Sequence, residues 1–338
     1  VWGVDEMVKL LNVKLLIFII VVAVLGVGLL VWSTRGPVTT EPLPELPAVK
    51  VTPVMPQPVA PRHTLRAPLP QVIKLPVYQY DGDVVANFSS RWPNALGFSG
   101  EPQEIEDALE GTLLLWSKEG ETLVVAADGS RLSYRVDLST ETHPTGVFGS
   151  FLPSFEAAAE IVGGTLTELG STSELLEHEA AKNKALKVGV EYVRETTVDQ
   201  AELLEIHFTA KIDNYLLYLP SGPEQDAVLA WVGRNGKLLR LEYCPLGTVG
   251  EKIADYPVKD EEELRRDLER GKGTVVSSSL EGGEEIVSVT ITKVSLGYLR
   301  PQFGATVIQP IFVLSGQAKA ASGKTGTVTL YLPAATPF

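Results

Sequence analysis

The chain has 338 residues, with 42 Asp and Glu against 29 Lys and Arg, a formal charge of −13 and a pI near 4.9. Phosphate recognition needs clustered Lys and Arg, so this balance argues against nucleic acid and against an anionic membrane surface. It leaves protein, peptide or a cation as the expected partner.

Residues 1–14 carry Lys9 and Lys14 and precede an uncharged, proline-free run from Leu15 to Trp32. Eighteen residues at helical rise cover about 27 Å, close to the hydrocarbon thickness of a bilayer. The run therefore reads as a transmembrane helix. Lysines on its N-terminal flank, against Arg35 on the other, predict a cytoplasmic N-terminus and an extracytoplasmic remainder attached to the cell membrane by a single pass. Residues 33–70 follow as a linker. Ten of the 23 prolines fall between Gly36 and Pro70, and proline lacks the donor that helix and sheet require.

The expected fold class is α+β, with helix-on-antiparallel-sheet modules at 71–150 and 151–256 and a C-terminal helix with antiparallel strands at 257–338. In the first module a strand is predicted over 74–80. Val84, Val85, Phe88 and Trp92 then recur at helical spacing, and strands follow over 111–117, 121–127 and 131–138. Asp128-Gly129 joins the last two as a tight hairpin in which both central residues need positive φ. Asn87-Phe88-Ser89 fits a glycosylation acceptor by pattern only.

The second module opens with a helical face of Phe155, Ala158, Val162, Leu166 and Leu169. Ser171 and Glu174 then have capping-box spacing before a short helix carrying Leu175, Leu176, Ala180 and Ala181. Strands are predicted over 187–194, 201–213, 215–219, 227–232 and 237–243, with Asn235-Gly236 closing the last pair. In the third segment Asp260 and Glu263 cap a helix with Leu264 and Leu268, stopped at Gly271. Strands run from Ile286 to Leu299, over 308–318 and over 327–332.

The series Val294-Ser295-Leu296-Gly297-Tyr298, Ile308-Gln309-Pro310-Ile311-Phe312-Val313-Leu314-Ser315-Gly316 and Tyr331-Leu332-Pro333-Ala334 is similar to the closing hairpins of bacterial YycH/YycI-type ectodomains. Those resemble the wider PepSY-like modules. The run from Phe208 to Tyr215 looks like the strand and turn such modules place before their central hairpin. The resemblance implies a single-pass regulator that binds another membrane or envelope protein, in some cases within a two-component sensor system. It brings no catalytic residues.

Chemical motifs are weak. Gly323-Lys324-Thr325 has the wrong glycine spacing for a phosphate loop, and Gly97-Phe98-Ser99-Gly100 lacks a residue needed for a nucleophile elbow. His178-Glu179 begins like a zinc-protease helix, but Lys182 stands where the second ligand belongs. The other histidines, His63, His143 and His207, are scattered. Two acidic segments, Glu101 to Glu110 and Asp260 to Glu263, read as solvated faces and helix N-terminal charge. Cys244, the one cysteine, reads as a small buried hydrophobe.

No residue is assigned to catalysis, a cofactor or a metal. The expected function is a non-enzymatic, membrane-anchored binding protein of the cell envelope, working through sheet faces or edges. A wall hydrolase and a passive stalk component are the alternatives.

Overall fold

A computed structural model describes residues 43–49, 51, 61–82, 91–107, 111–138, 151–171, 174–189, 192–220, 222–223, 226–280, 284–301 and 305–336. Residues 45–337 form one compact unit, and almost all of the other unit, 1–44 with 338, lies outside that set.

Among the described residues eighteen strands dominate it. In chain order they are β1 Arg62–Leu65, β2 Lys74–Asp81, β3 Gln103–Asp107, β4 Gly111–Lys118, β5 Glu121–Ala126, β6 Leu132–Val136, β7 Leu176–His178, β8 Lys184–Val188 and β9 Val193–Glu195. Then come β10 Leu203–Ile212, β11 Tyr215–Tyr218, β12 Val228–Gly233, β13 Leu238–Tyr243, β14 Thr248–Pro257, β15 Thr274–Ser278, β16 Ile286–Leu299, β17 Val307–Ala320 and β18 Thr325–Pro333. The helices among the described residues are α1 Trp92–Ala95, α2 Phe155–Glu168 and α3 Glu261–Glu269.

One large antiparallel sheet runs β3-β4-β5-β6-β13-β12-β10, with β7 and β8 sharing the far edge of β10 and β9 beyond β8. Because strand side chains alternate between faces, Leu204, Ile206, Val228, Ala230, Leu241 and Tyr243 point to one side. There they join Ala158, Val162 and Leu166 of α2 and the fully buried Trp92 in a single core. Helix α2 starts where the Ser154 hydroxyl accepts from the Ala157 amide (3.2 Å), satisfying one of its orphan donors.

The second sheet orders β15-β18-β17-β16, and two short strands lie parallel to β16 on its remaining edge, β1 at Ser288–Ile291 and β11 at Tyr298–Leu299. The β10–β11 hairpin links the two sheets through Asp213 and Asn214, both at positive φ (49° and 70°). These two residue types tolerate that region best after glycine. Strand β2 bridges β14 and the start of β17. The N-terminal strap joins in as well: the Gln309 amide donates to Pro47 O (2.7 Å), and Val49 and Val51 pack on Val276, Ile311 and Val313.

Helix α3 carries the full reciprocal cap expected of Asp260 and Glu263 (2.8 and 3.1 Å). It buries Leu264 and Leu268 and stops at Gly271, whose φ is 72°. A buried clip fastens it. Lys259 Nζ pairs with Asp267 (2.8 Å) and donates to Pro333 O (2.8 Å), while Lys272 takes the other Asp267 oxygen (2.7 Å).

Several expectations need correction. The fold is mostly β, not a series of helix-on-sheet modules: β6 pairs β13 and β2 pairs β14 and β17, so strands from all three predicted segments share sheets. No helix among the described residues is long and apolar enough to cross a membrane. Single-pass anchoring, with the cell-membrane placement drawn from it, therefore has no support here. The run from Leu15 to Trp32 lies outside the described residues, as do Val84, Val85 and Phe88 of the expected first helix.

The helix expected around Leu175 and Ala180 is instead β7 followed by a 3-10 turn at Ala180–Lys182. The open edge of β10 recruits Leu176–Ala210 pairing there, which outweighs local helical preference. At Asp128-Gly129 only Gly129 has positive φ (72°), because the Asp128 carboxylate accepts from Ser130 N (2.8 Å) and shapes a wider turn. Asn235 and Gly236 both adopt positive φ (59° and 71°), as their pairing required. Part of the expected linker, Arg62–Leu65, is strand, and so are 248–257, concealed by polar, glycine-bearing sequence, and the short run 274–278.

Candidate binding face of the large sheet

No described helix covers the second face of the large sheet. The same alternation that sends Leu204 and Ile206 into the core sends Glu205 and His207 the other way. They sit opposite Trp231 and Leu229 of β12, which in turn lie opposite Arg240 and Glu242 of β13. Next come Arg135 and Ser133 of β6, then Thr122 and Val124 of β5. A polar stripe thus crosses five strands.

At one end Glu242 is surrounded. Its Oε1 accepts from Ser133 Oγ (3.0 Å), Arg135 Nη2 (2.7 Å) and Arg240 Nε (3.2 Å), and Arg131 Nη2 approaches Oε2 at 3.5 Å. Burial works against the charged carboxylate, but Arg135 and Arg240 outweigh it and hold Glu242 below the usual carboxylate range. Arg135 remains 57% exposed and Arg131 38%, whereas Glu242 is 16% exposed, so the cations form the rim and the acid the floor. Beside them lies a recess of about 250 Å³, lined by Leu113, Thr122, Val124, Ala126, Arg131, Ser133 and Arg135.

The stripe continues through Arg240, whose guanidinium lies 4.8 Å from the Trp231 ring centroid. Trp231 Nε1 donates to Glu205 Oε2 (2.9 Å). Glu205 Oε1 meets His207 Nε2 (3.0 Å) and Lys184 Nζ (3.3 Å), and His207 Nδ1 meets Asp226 Oδ2 (2.7 Å), which is also paired with Lys182. Burial disfavours the charged imidazole, yet the two flanking carboxylates win and push its pKa up to about 9. Glu205 is driven down to about 2, first by its bond to His207. A histidine held between two carboxylates donates from both nitrogens, so it has no lone pair to offer as a general base.

The residues weighed from sequence are scattered. His178 Nε2 bonds Asn183 Nδ2 (2.9 Å) and its ring lies against Phe208. His63 sits in β1 and His143 lies outside the described residues. Lys182, in the position a zinc ligand would need, pairs with Asp226. Among the described residues no cluster of His, Cys, Asp or Glu could hold a metal ion. Gly323-Lys324-Thr325 turns β17 into β18, and Gly97-Phe98-Ser99-Gly100 is the turn that buries Phe98 after α1. Half-buried Cys244 follows β13. Within the acidic run from Glu101 to Glu110, 103–107 are the edge strand β3, exposed at all five positions, and Glu110 lies outside the described residues.

Of the weighed residues His207 belongs to the stripe, and Lys182 joins it through Asp226. The sequence signal was present as alternation in LEIHF, LLRLEY and LSYRV, where charges interrupt apolar strands. What brings three such strands into one sheet, with β12 between β10 and β13 and with Asp226 and Lys182 arriving from outside the strands, is pairing over long chain distances.

No family model matches this chain, and no curated protein does. Among solved structures it is similar to an uncharacterized protein from Eubacterium rectale ATCC 33656, with a TM-score of 0.41 and 13% identity, covering 82% of this chain and 90% of that one.

Proposed function

We propose that this chain is a binding protein that works through contact with another protein, and that the partner docks on the face of the large sheet that no described helix covers. The observation that carries this reading is the exposed arginine rim around a partly buried Glu242, beside an open recess, on a face where half-buried Leu113, Val124, Leu229 and Trp231 stand among charges. Aromatic and arginine side chains interleaved with aliphatics are the composition of a protein interface core and rim. Chemistry on bound substrate is disfavoured by the locked state of His207, the one buried histidine of the stripe.

The test places a photoreactive amino acid at Thr122, on the open face, or at exposed Glu160 on α2, in the full chain inside the cells that make it. A discrete adduct from Thr122 and none from Glu160 supports the reading. Adducts confined to Glu160, or none at either, overturn it.

A further inference from the structure

The strap, residues 45–51, is the margin of the folded unit, and it covers the outer face of the second sheet without pairing to it. Its described residues belong to no strand or helix. Leu46, Val49 and Val51 are half-buried while Glu45, Pro47 and Ala48 face solvent, so an extended ribbon lies with one side down, stiffened by the fixed φ of Pro47. A cover held this way peels from its margin at less cost than a paired strand. The seat beneath it is closely shaped. Val276, Leu299, Ile311, Val313 and Tyr331 form an apolar floor, and Tyr218 packs against them with its ring 5.7 Å from that of Tyr331. Tyr218 comes from β11 and reaches over β16 where Gly297 leaves room, since an added Cβ there would run into its ring. Buried Gln309 turns its amide to the ribbon and donates to Pro47 O (2.7 Å).

Paired aromatic rings with a side-chain donor aimed at a proline carbonyl suit an extended proline-containing ligand, because such a ribbon makes no internal hydrogen bonds and leaves its carbonyls open. Yet the strap fits incompletely. The Tyr331 hydroxyl is buried in the same cluster with no hydrogen-bond partner among the described residues, and a donor left dry and unbonded weakens the closed arrangement. We infer that this face is a recognition groove for an extended, proline-containing aliphatic segment of a partner protein, and that residues 45–51 are an internal stand-in that blocks it until displaced. The groove lies on the second sheet and does not depend on the docking face proposed above. A segment that fills the floor as Val49 and Val51 do, and also brings an acceptor to Tyr331, makes one bond more than the strap. The strap's advantage is its tether, which keeps it at high local concentration.

The experiment titrates the full chain into a fluorescent, end-blocked peptide of the strap sequence, Glu-Leu-Pro-Ala-Val-Lys-Val, and reads anisotropy. Val49→Asp with Val51→Asp unseats the tethered copy, and this variant should bind the peptide about tenfold or more tighter than the native chain does. Adding Gln309→Leu should weaken that binding about fivefold, the worth of one net hydrogen bond, and a peptide with aspartate for both valines should lose about tenfold. Circular dichroism checks that each variant is folded. If the double variant is not, Val51→Ala loosens the strap more gently and should tighten peptide binding about threefold. Equal binding by the native and unseated chains, or no loss from Gln309→Leu in a folded chain, overturns the inference. Sedimentation of the native chain should give a monomer. A dimer that the peptide dissolves would make a second copy the occupant and overturn the assignment to a partner protein.

Discussion

Two clusters of charge are half withdrawn from water in this molecule, and they are built differently. In the Lys259 clip both members of the central pair are consumed internally: Asp267 takes a lysine on each oxygen, Lys259 spends another donor on Pro333 O, both are under a tenth exposed, and Lys272 alone of the three reaches solvent. On the sheet face, the acids Glu242, Glu205 and Asp226 are withdrawn, but Arg135, Lys182 and Lys184 around them are about half exposed. The first arrangement is closed and joins a helix to a strand. The second is finished on the acid side only, which marks it as a surface that can still make bonds.

Three changes would break or sharpen that contrast, in decreasing order of effect. Lys259→Met leaves Asp267 short of a partner in a dry site and strips Pro333 O of its donor, so urea denaturation should show a loss of about 3 kcal/mol. If the loss is under about 1 kcal/mol, the clip is no more internal than the face.

His207→Gln should cost less, about 2 kcal/mol, because Lys182 and Lys184 still balance the two carboxylates. The wild-type effect depends on pH. His207 is raised in the folded state, from 6.5 to about 9, so its contribution is fully present below about pH 6.5 and is lost as pH rises through 9. The urea midpoint should fall over that window in the native chain and stay flatter in His207→Gln. Glu205 has the opposite sign: its pKa is depressed to about 2, so its share is present above about pH 4.5 and lost as acid is added. Parallel midpoint curves for the two proteins between pH 6.5 and 9 would remove His207 from the account.

Arg266→Ala, on the outer side of α3, breaks only an i,i+4 pair to Glu262, which is 84% exposed. The expected change is about 0.3 kcal/mol, within reach of a careful denaturation series. A loss near 2 kcal/mol would show that exposed pairs here stabilise the fold as much as buried ones.

Local rules were reliable where one segment settles its own shape. The reciprocal cap of Asp260 with Glu263, the Asn235-Gly236 turn and the helical stripe of Ala158, Val162 and Leu166 each depend on neighbours a few residues away, and each was legible in sequence. Strand pairing is different. Nothing near Leu176 says that the free edge of Phe208–Ala210 will claim it, and nothing in the glycine- and proline-bearing stretch 248–257 announces a ten-residue partner for β2. The mostly β character was hidden for that reason: helical periodicity is a local signal, whereas strands such as Arg62–Leu65, Leu176–His178 and Thr248–Pro257 are defined by distant partners. The site suffered likewise: the alternating charges of β6, β10 and β13 were visible, but their meeting on one face is a property of register across the chain, not of any motif.

The strap and β1 have a practical corollary for anyone preparing a shortened version of the protein. Beginning the polypeptide at residue 71, just past the proline-rich stretch, would strip Arg62–Leu65 from β16 and expose a bare row of amides and carbonyls from Ser288 to Ile291. Uncapped borders of this sort template fibre growth between molecules. The safe left-hand cut lies upstream of Glu45, where the folded body starts.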